Sequence, residues 1–397
     1  MAVISTHIFF LWRVRGRVEK ADPDFTVYYT AARIFRERRG AYLYTAVTQQ
    51  SVQREFARDS DLRRSPLPYI HPPFEALIFV PLTWLSYSKA FLLWNGVNLL
   101  LLIVIAQRLR GSLHALSAIP LWEWVAALLA FFPVFANFLQ GQDAILLLLV
   151  FVFGFRALER DALFLAGCWF GLGIFKYHFV LPLVLIVAVW KGRKFLSGFA
   201  ATAIAMSLLS LALVGWQGLL RYPAYAWHVV SVPGYGQTPP GLMVNLMGLA
   251  AGWPKLQDLG WPVRVVALVA SAALLIAVGG MRRTANDQRF FRLTFACAVL
   301  ASLLVAYNTN AHDLCLLVLP LTLVGDHCAA RWSDGKPAKA LLIPITPLLI
   351  SPVWIFLWMG LGKLNVMAIL LLWWIYAMQR EMVKLRSTAS ASLTVPA

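Results

Sequence analysis

Long apolar runs alternate along the chain with short polar interruptions, without the every-second-residue pattern of a strand facing two environments. Phe195 to Val214 and Ala340 to Met359 are uncharged and largely apolar over the roughly 20 residues that a helix needs to cross a bilayer's hydrocarbon. Within lipid each backbone N–H and C=O must be satisfied internally, so continuous apolar runs select helices over a barrel. The predicted fold class is all-α, a polytopic transmembrane helix bundle, with 1–397 as a single integral membrane domain.

The interruptions are mostly short and basic: Arg108 and Arg110; Arg156 and Arg160; Lys191, Arg193 and Lys194; Arg282, Arg283, Arg289 and Arg292; Arg331, Lys336 and Lys339; Arg380, Lys384 and Arg386. Lys and Arg in short loops mark the cytoplasmic side of a membrane. Between these clusters the chain has only Lys176, Arg221, Lys255, Arg264 and Lys363. If all clusters are inside, each intervening segment goes out and returns. Helices are then expected near 90–107, 117–137, 143–157, 162–175, 178–190, 195–214, 263–281, 291–306, 313–326, 339–359 and 364–379. With a weak first segment this gives about ten to twelve crossings. The pair 162–175 and 178–190 is short, which predicts a tilted or thinned hairpin whose turn, at Lys176 and His178, stays short of bulk water. No internal repeat of the kind that many transporters carry is evident.

The remaining loops fall outside, and the longest, 13–89, is read as the first outer loop. It is itself basic, but loops longer than about 60 residues escape the charge rule. Phe25 to Phe35 and Ala46 to Phe56 space their apolar residues helically among polar ones, which predicts amphipathic helices lying in the interface. Pro72-Pro73 opens an apolar segment to Leu85, read as a helix on or dipping into the outer leaflet. The opening stretch Ala2 to Trp12 lacks a basic leader and a small-residue cleavage site, and is short for a span.

Composition agrees: 60% of the 397 residues are hydrophobic and 13% charged, against roughly a quarter charged in soluble domains. The net charge of +17 would suggest nucleic acid in a soluble protein, but here it belongs to loops, and no nucleic-acid partner is expected. Cys168, Cys297, Cys315 and Cys328 lie in or beside apolar runs without metal or disulfide spacing. No glycine-rich phosphate cradle or nucleophile elbow occurs, so a nucleotide-sugar or ATP site lacks support, and no cofactor is expected.

The candidate chemistry gathers at the outer loops. Asp24, after Asp22-Pro23 and before Phe25, Tyr28 and Tyr29, can take a proton from a sugar hydroxyl beside an aromatic wall; a helix cap at Asp22 and Pro23 is the plainer account. Lys176, with Tyr177 and His178, sits at membrane depth, where a cation can hold a phosphate or simply snorkel. Asn308, Asn310, His312 and Asp313 form a polar patch in which His312 can donate to a phosphate or sugar oxygen and Asp313 can orient it; metal binding there lacks further ligands, and no metal is expected. Gln140, Gln142 and Asp143, and His71 before Pro72-Pro73, form two further sets, each also explicable as turn chemistry. Tyr222, Tyr225, Trp227 and Tyr235 are candidates to line an acceptor cleft, although interfacial aromatics are expected in such a loop.

The order of these features resembles the GT-C membrane glycosyltransferases, most closely glycosyltransferase family 87. The resemblance rests on Asp24-Phe25 with Tyr28-Tyr29 and Ala31-Ala32, Gly40, Leu43-Tyr44, Tyr69 with Pro72-Pro73 and Pro81-Leu82, Gly141-Gln142, Ala166-Gly167, Gly171-Leu172-Gly173, Lys176 and His312-Asp313-Leu314. It implies inverting transfer of a sugar, typically mannose, from a polyprenyl-phosphate donor to a lipid or glycan acceptor on the outer side of the cytoplasmic membrane. Asp24 is then the base, Lys176 and His312 face the donor phosphate, and Tyr28, His71, Gln142, His178, Asn308 and Asp313 are further substrate contacts. A lateral groove open to membrane lipids is expected between the Lys176 hairpin and the helices flanking His312. The competing reading is a multi-pass transporter or lipid flippase, which places its polar residues near the bilayer midplane; a non-catalytic scaffold is a third.

Overall fold

The computed structural model describes residues 2–57, 67–231, 238–253, 260–281, 288–335 and 337–393. Arg282, Arg283 and Lys336 of the basic clusters, Lys255 and Tyr235 lie outside the described residues. Among the described residues the chain is helical with no strand. The helices are α1 (Ala2–Arg13), α2 (Arg15–Glu19), α3 (Phe25–Arg36), α4 (Ala46–Phe56), α5 (Pro73–Phe79), α6 (Tyr87–Arg110), α7 (Leu121–Ala130), α8 (Phe132–Gln140), α9 (Ala144–Glu159), α10 (Leu163–Leu172), α11 (Tyr177–Lys191), α12 (Arg193–Ser231), α13 (Leu246–Ala251), α14 (Trp261–Gly279), α15 (Gln288–Val305), α16 (Val318–Ser333), α17 (Lys339–Leu349), α18 (Ser351–Ile355) and α19 (Met367–Leu393).

Among the described residues seven helical segments are long and apolar enough to cross a membrane, and up to nine if the bent pairs α7–α8 and α17–α18 each make one span. The protein is therefore a multi-pass membrane protein. The expected ten to twelve crossings exceed this number because three expected spans, 143–157, 162–175 and 178–190, are short. At about 1.5 Å per residue, the 16 residues of α9 reach only about 24 Å. The single apolar stretch Leu163–Lys191 breaks at Lys176, whose backbone leaves the helical region (φ −113°, ψ 59°). Its two ends meet, with Lys191 Nζ 3.7 Å from Asp161 Oδ1, so α10 and α11 form the expected short hairpin, joined by the 3₁₀ turn Gly173–Lys176. Counting α9 and the hairpin's arms separately returns the larger number.

The hairpin is held by glycine. α10 lies against the start of α12 so closely that a Cβ on Gly198 would stand 1.9 Å from the Phe164 carbonyl oxygen, and one on Gly167 would stand 2.1 Å from that of Phe195. Close backbone approach at small residues is how helices associate where burial from water supplies no drive. α15 and the stretch Asp313–Ser333 are the central spans, 83% and 78% buried, whereas Arg193–Val229 and Trp261–Gly279 are 17% and 22% buried and turn apolar faces to lipid.

The basic clusters come together at one end. Arg292 is buried there, its Nε 2.8 Å from Glu159 Oε1 and its Nη1 3.2 Å from Asp326 Oδ2, while Asp326 Oδ1 accepts the N–H groups of Ala115 and Leu116 at 2.8 and 3.0 Å. Arg108 lies over Phe153, Lys191 over Phe291 and Arg386 over Phe290, joining the ends of α6, α9, α11, α15 and α19.

At the other end, α3 to α5 build a cap with its own aromatic core of Phe25, Tyr28, Tyr29, Tyr69, Phe79 and the first turns of α6. The helices over Phe25–Arg36 and Ala46–Phe56 match the sequence pattern, but α3 is buried over most of its length rather than lying on an interface. α4, α5 and the start of α6 cover it, because its aromatic face stacks on Phe79, Phe56 and Tyr87. Tyr44 packs on Tyr222 and Tyr225, so these tyrosines join the cap to the second half of α12.

Because the α10–α12 crossing leaves no room for a side chain, Gly198→Val is expected to destabilise the protein by roughly 1–3 kcal/mol. The measurement is the melting temperature of the detergent-solubilised protein, which should fall well below that of the control Gly96→Ala in α6, at whose Cβ position nothing lies within 4 Å. An unchanged melting temperature would mean that the helices are not this close.

Candidate functional site

Three residues at breaks in the helical pattern meet at the end of the bundle opposite the buried Arg292. Asp143 precedes α9, Lys176 ends the hairpin's 3₁₀ turn, and Asp313 opens the 3₁₀ turn before α16. Lys176 Nζ lies 2.8 Å from Asp143 Oδ1 and 2.6 Å from Asp313 Oδ1, and all three side chains are buried. Neither Asp143 nor Asp313 is used as a side-chain helix cap. Asp313 Oδ2 instead accepts the Asn310 N–H at 2.9 Å, shaping the turn that carries His312, whose Nε2 stands 3.5 Å from Asp313 Oδ1.

The cap contributes the second set. α8 ends at Gly141 in the left-handed conformation (φ 62°), where a Cβ would strike Phe91 and Phe25 at 2.8 and 2.9 Å. This tight turn sets Gln142 beneath α3, its carbonyl accepting from Trp94 Nε1 and Asn98 Nδ2, both at 3.2 Å. The Gln142 amide then links two residues of α3's first turns: Oε1 accepts from the Tyr28 hydroxyl at 2.6 Å, and Nε2 donates to Asp24 Oδ2 at 2.9 Å. The Asp24 N–H donates to Gln140 Oε1 at 3.2 Å, and its carboxylate makes no helix-capping bond. Asp22 pairs with Arg17 instead.

Asp24, Tyr28, His71, Gln142, Asn308 and His312 line one cleft of about 360 Å³. A smaller cavity of about 100 Å³ continues from it and is lined by His71, Lys176, His178, Asn308, His312 and Asp313. Asp24, Tyr28, His71, Gln142, Lys176, His178, Asn308, His312 and Asp313, the residues expected to contact substrates, thus each face one of two connected spaces. Of the aromatic candidates for an acceptor cleft, Tyr222 and Tyr225 are spent on packing against Tyr44, and Trp227 is 74% exposed, so none of the three lines the cleft.

The structure adds Glu75, which is fully buried, with Oε2 3.0 Å from His71 Nδ1 and 3.3 Å from the Tyr69 hydroxyl. His71 and Glu75 stand four residues apart across the start of α5, a spacing that puts both on one helix face and that the sequence carried. Burial, reinforced by the neighbouring Asp143, pushes the Glu75 carboxyl well above the usual carboxylate range. Burial likewise lowers the His71 imidazole to about 4 and depresses that of His312, so both rings are neutral at neutral pH. Donor atoms of His71, Glu75 and Asp143 lie within 4.8 Å of one another, the set a divalent cation would need, but the Lys176 ammonium already stands against Asp143.

Residues 69–306 match the model of glycosyltransferase family 87. The chain is similar, at 25% identity over 366 residues (86% of this chain and 79% of the relative), to the polyprenol-phosphate-mannose-dependent alpha-(1-2)-phosphatidylinositol mannoside mannosyltransferase of Mycolicibacterium smegmatis. A stretch of 87 residues, 21% of this chain and 20% of the relative, is 33% identical to the polyprenol-phosphate-mannose-dependent alpha-(1-2)-phosphatidylinositol pentamannoside mannosyltransferase of Mycobacterium tuberculosis. No solved structure matches significantly. The family match takes in His71, Glu75, Gln142, Asp143 and Lys176, while Asp24 and His312 flank it.

Removing the ammonium leaves two buried carboxylates without their cation, so Lys176→Met is expected to cost about 3–5 kcal/mol, and Lys176→Met with Asp143→Asn to recover part of it. Thermal unfolding of the purified variants measures both. The lowered His71 pKa contributes stability that is present above pH 6.5 and lost as pH falls through about 4. The gap in melting temperature between wild type and His71→Gln should therefore change across that window; a constant gap contradicts the assignment.

Proposed function

Because the chain belongs to glycosyltransferase family 87, we propose that it transfers mannose, with inversion, from a polyprenyl-phosphate donor to a hydroxyl of a lipid or glycan acceptor. The observation that carries the reading is a carboxylate, Asp24, held by the Gln142 amide, with its backbone N–H held by Gln140, in the same cleft as His71 and His312. The relatives' dependence on polyprenol-phosphate-mannose supports the donor. The family assignment also sets aside the transporter and scaffold readings.

In this reading Asp24 accepts the proton of the acceptor hydroxyl as its oxygen forms a bond to the anomeric carbon. The bond from that carbon to the phosphate oxygen breaks, and polyprenyl phosphate leaves with the electron pair. Gln142 fixes the direction of the carboxylate while Gln140 holds the Asp24 backbone N–H, and the buried Tyr28 hydroxyl fixes Gln142 in turn. His312 donates to the departing phosphate. An ammonium has three N–H donors; two on Lys176 serve Asp143 and Asp313, and the third is available to the phosphate in the smaller cavity. His178 and Asn308, whose Nδ1 and Oδ1 are buried without a protein partner, are suited to the donor's remaining polar atoms. The lipid-linked donor approaches past Tyr177 and Tyr307. The site's position away from the gathered basic clusters supports an active site on the outer face of the cytoplasmic membrane.

Transfer from polyprenyl-phosphate mannose by the purified protein, over a panel of acceptors, tests the reading. Asp24→Asn is expected to lower the rate by about 10²–10⁴-fold while leaving donor binding intact. Undiminished transfer by that variant would remove Asp24 from the base's role, and anomer analysis of the product by NMR decides between inversion and retention.

A further inference from the structure

During glycosyl transfer the anomeric carbon lies between the acceptor oxygen at Asp24 and the phosphate oxygen at Lys176. Asp24 lines the larger polar space and Lys176 the smaller, so the sugar sits where the two join, and His71 lines both. The His71 ring is flanked by those of Tyr28 and Tyr69, with centroids 5.4 and 5.5 Å away, and its Nδ1 faces Glu75 Oε2 at 3.0 Å. Among the described residues Nε2 makes no hydrogen bond to the protein, which leaves it to the contents of the cleft.

Whether Nε2 donates or accepts is set by a proton on Glu75. Three buried carboxyl groups, Glu75, Asp143 and Asp313, stand around one ammonium, and Lys176 pairs with the two aspartates. Glu75 Oε1 is buried without an N–H or O–H of the protein to accept from, and its neighbour is the Asp143 carboxyl, which shares a cluster with Glu75 and His71 within 4.8 Å. Two bare carboxylate oxygens repel at such range, whereas a proton on Oε1 turns the contact into a hydrogen bond to Asp143. Burial agrees, holding the Glu75 carboxyl well above its usual range and the His71 imidazole down at about 4. With that proton directed at Asp143, Oε2 is an acceptor only. His71 must then donate from Nδ1 and present the lone pair of Nε2 to the cleft. A ring so weakly basic accepts a hydrogen bond without taking the proton, a role separate from that of Asp24.

We propose that His71 Nε2 accepts a hydrogen bond from one hydroxyl of the transferred sugar, and so selects sugars that carry it, and that Glu75, through a proton shared with Asp143, is the positioning residue that fixes this tautomer. This rests on the glycosyl-transfer reading above.

The full chain in nanodiscs is given polyprenyl-phosphate mannose without an acceptor, and its dissociation constant is compared with those of deoxy and fluoro analogues at each sugar hydroxyl. Fluorine cannot donate a hydrogen bond, so at one position both analogues should bind wild type about tenfold more weakly. His71→Phe should bind the mannose compound about tenfold more weakly and show no further penalty at that position. Glu75→Gln, whose amide donates to Asp143 and offers a carbonyl to His71, should keep the penalty, and Glu75→Leu should lose most of it. Nitrogen NMR of protein carrying isotope-labelled histidine, with the His71 signal assigned by its absence in His71→Phe, should find the proton on Nδ1 in wild type and in Glu75→Gln. A proton on Nε2, undiminished binding by His71→Phe, fluoro analogues that all bind as mannose does, or a penalty lost in Glu75→Gln would each overturn the inference. So would binding that a chelator abolishes and a divalent cation restores, because His71, Glu75 and Asp143 would then hold a metal in place of the proton. The expected tautomer and binding pattern without transfer to any acceptor would uphold the roles of His71 and Glu75 and overturn the glycosyl-transfer reading instead.

Discussion

The structure depends on one buried cation, Lys176, held between Asp143 and Asp313. Its three members come from the start of α9, the turn of a hairpin and the turn before α16, and each sits where a helix is interrupted. In hydrocarbon an isolated charge at such depth costs several kcal/mol, so each is retained only with its partners. The ion pairs fix the depth of the α10–α11 hairpin, which by length alone would not settle between spanning and dipping. They also hold open a polar space inside an apolar bundle, because groups that must stay hydrogen-bonded cannot be filled around with leucine.

A second buried cation, Arg292, performs the matching task at the opposite end, tying α9, α15 and α16 through Glu159 and Asp326. The two networks share α9, the helix that begins at Asp143 and ends at Glu159. A rigid, short helix between two ionic anchors sets the separation of the basic end from the site. The aromatic cap is then fastened over the site by short polar contacts rather than by burial alone: Tyr28 to Gln142, Gln142 to Asp24, and the Asp24 N–H to Gln140. This arrangement gives the carboxylate of Asp24 a fixed direction in a cleft that substrates must still enter, the preorganisation that positioning and charge stabilisation both require.

The fold class, the basic end, the helices at Phe25 and Ala46 and the short hairpin at Lys176 were all legible along the chain, because each follows from local length, periodicity or charge. So were the residues of the cleft, since polar groups in an apolar chain are few and stand out. Their partnerships were not legible. Arg292 reads as one more loop cation and proves to be a buried tie, Glu75 draws no reading of its own and proves to be fully buried against His71, and Tyr222 and Tyr225 read as cleft aromatics and prove to be packing. The expected crossing count is higher than the number of long apolar helices because 143–157 and the two arms of the hairpin are short, and length by itself does not say whether such a helix reaches across.

What the order of residues settled is therefore the solvent of this protein, the kind of helices it forms and the small set of groups able to do chemistry, all of which follow from near neighbours. What three-dimensional packing settled is which of those groups meet. Ion pairs such as Lys176 with Asp313 join residues far apart in the chain, and in lipid their strength depends on burial and on approach to within hydrogen-bond distance. Both are set by helix crossings such as that of Gly167 and Gly198, where a difference of one methyl group decides how near two backbones come.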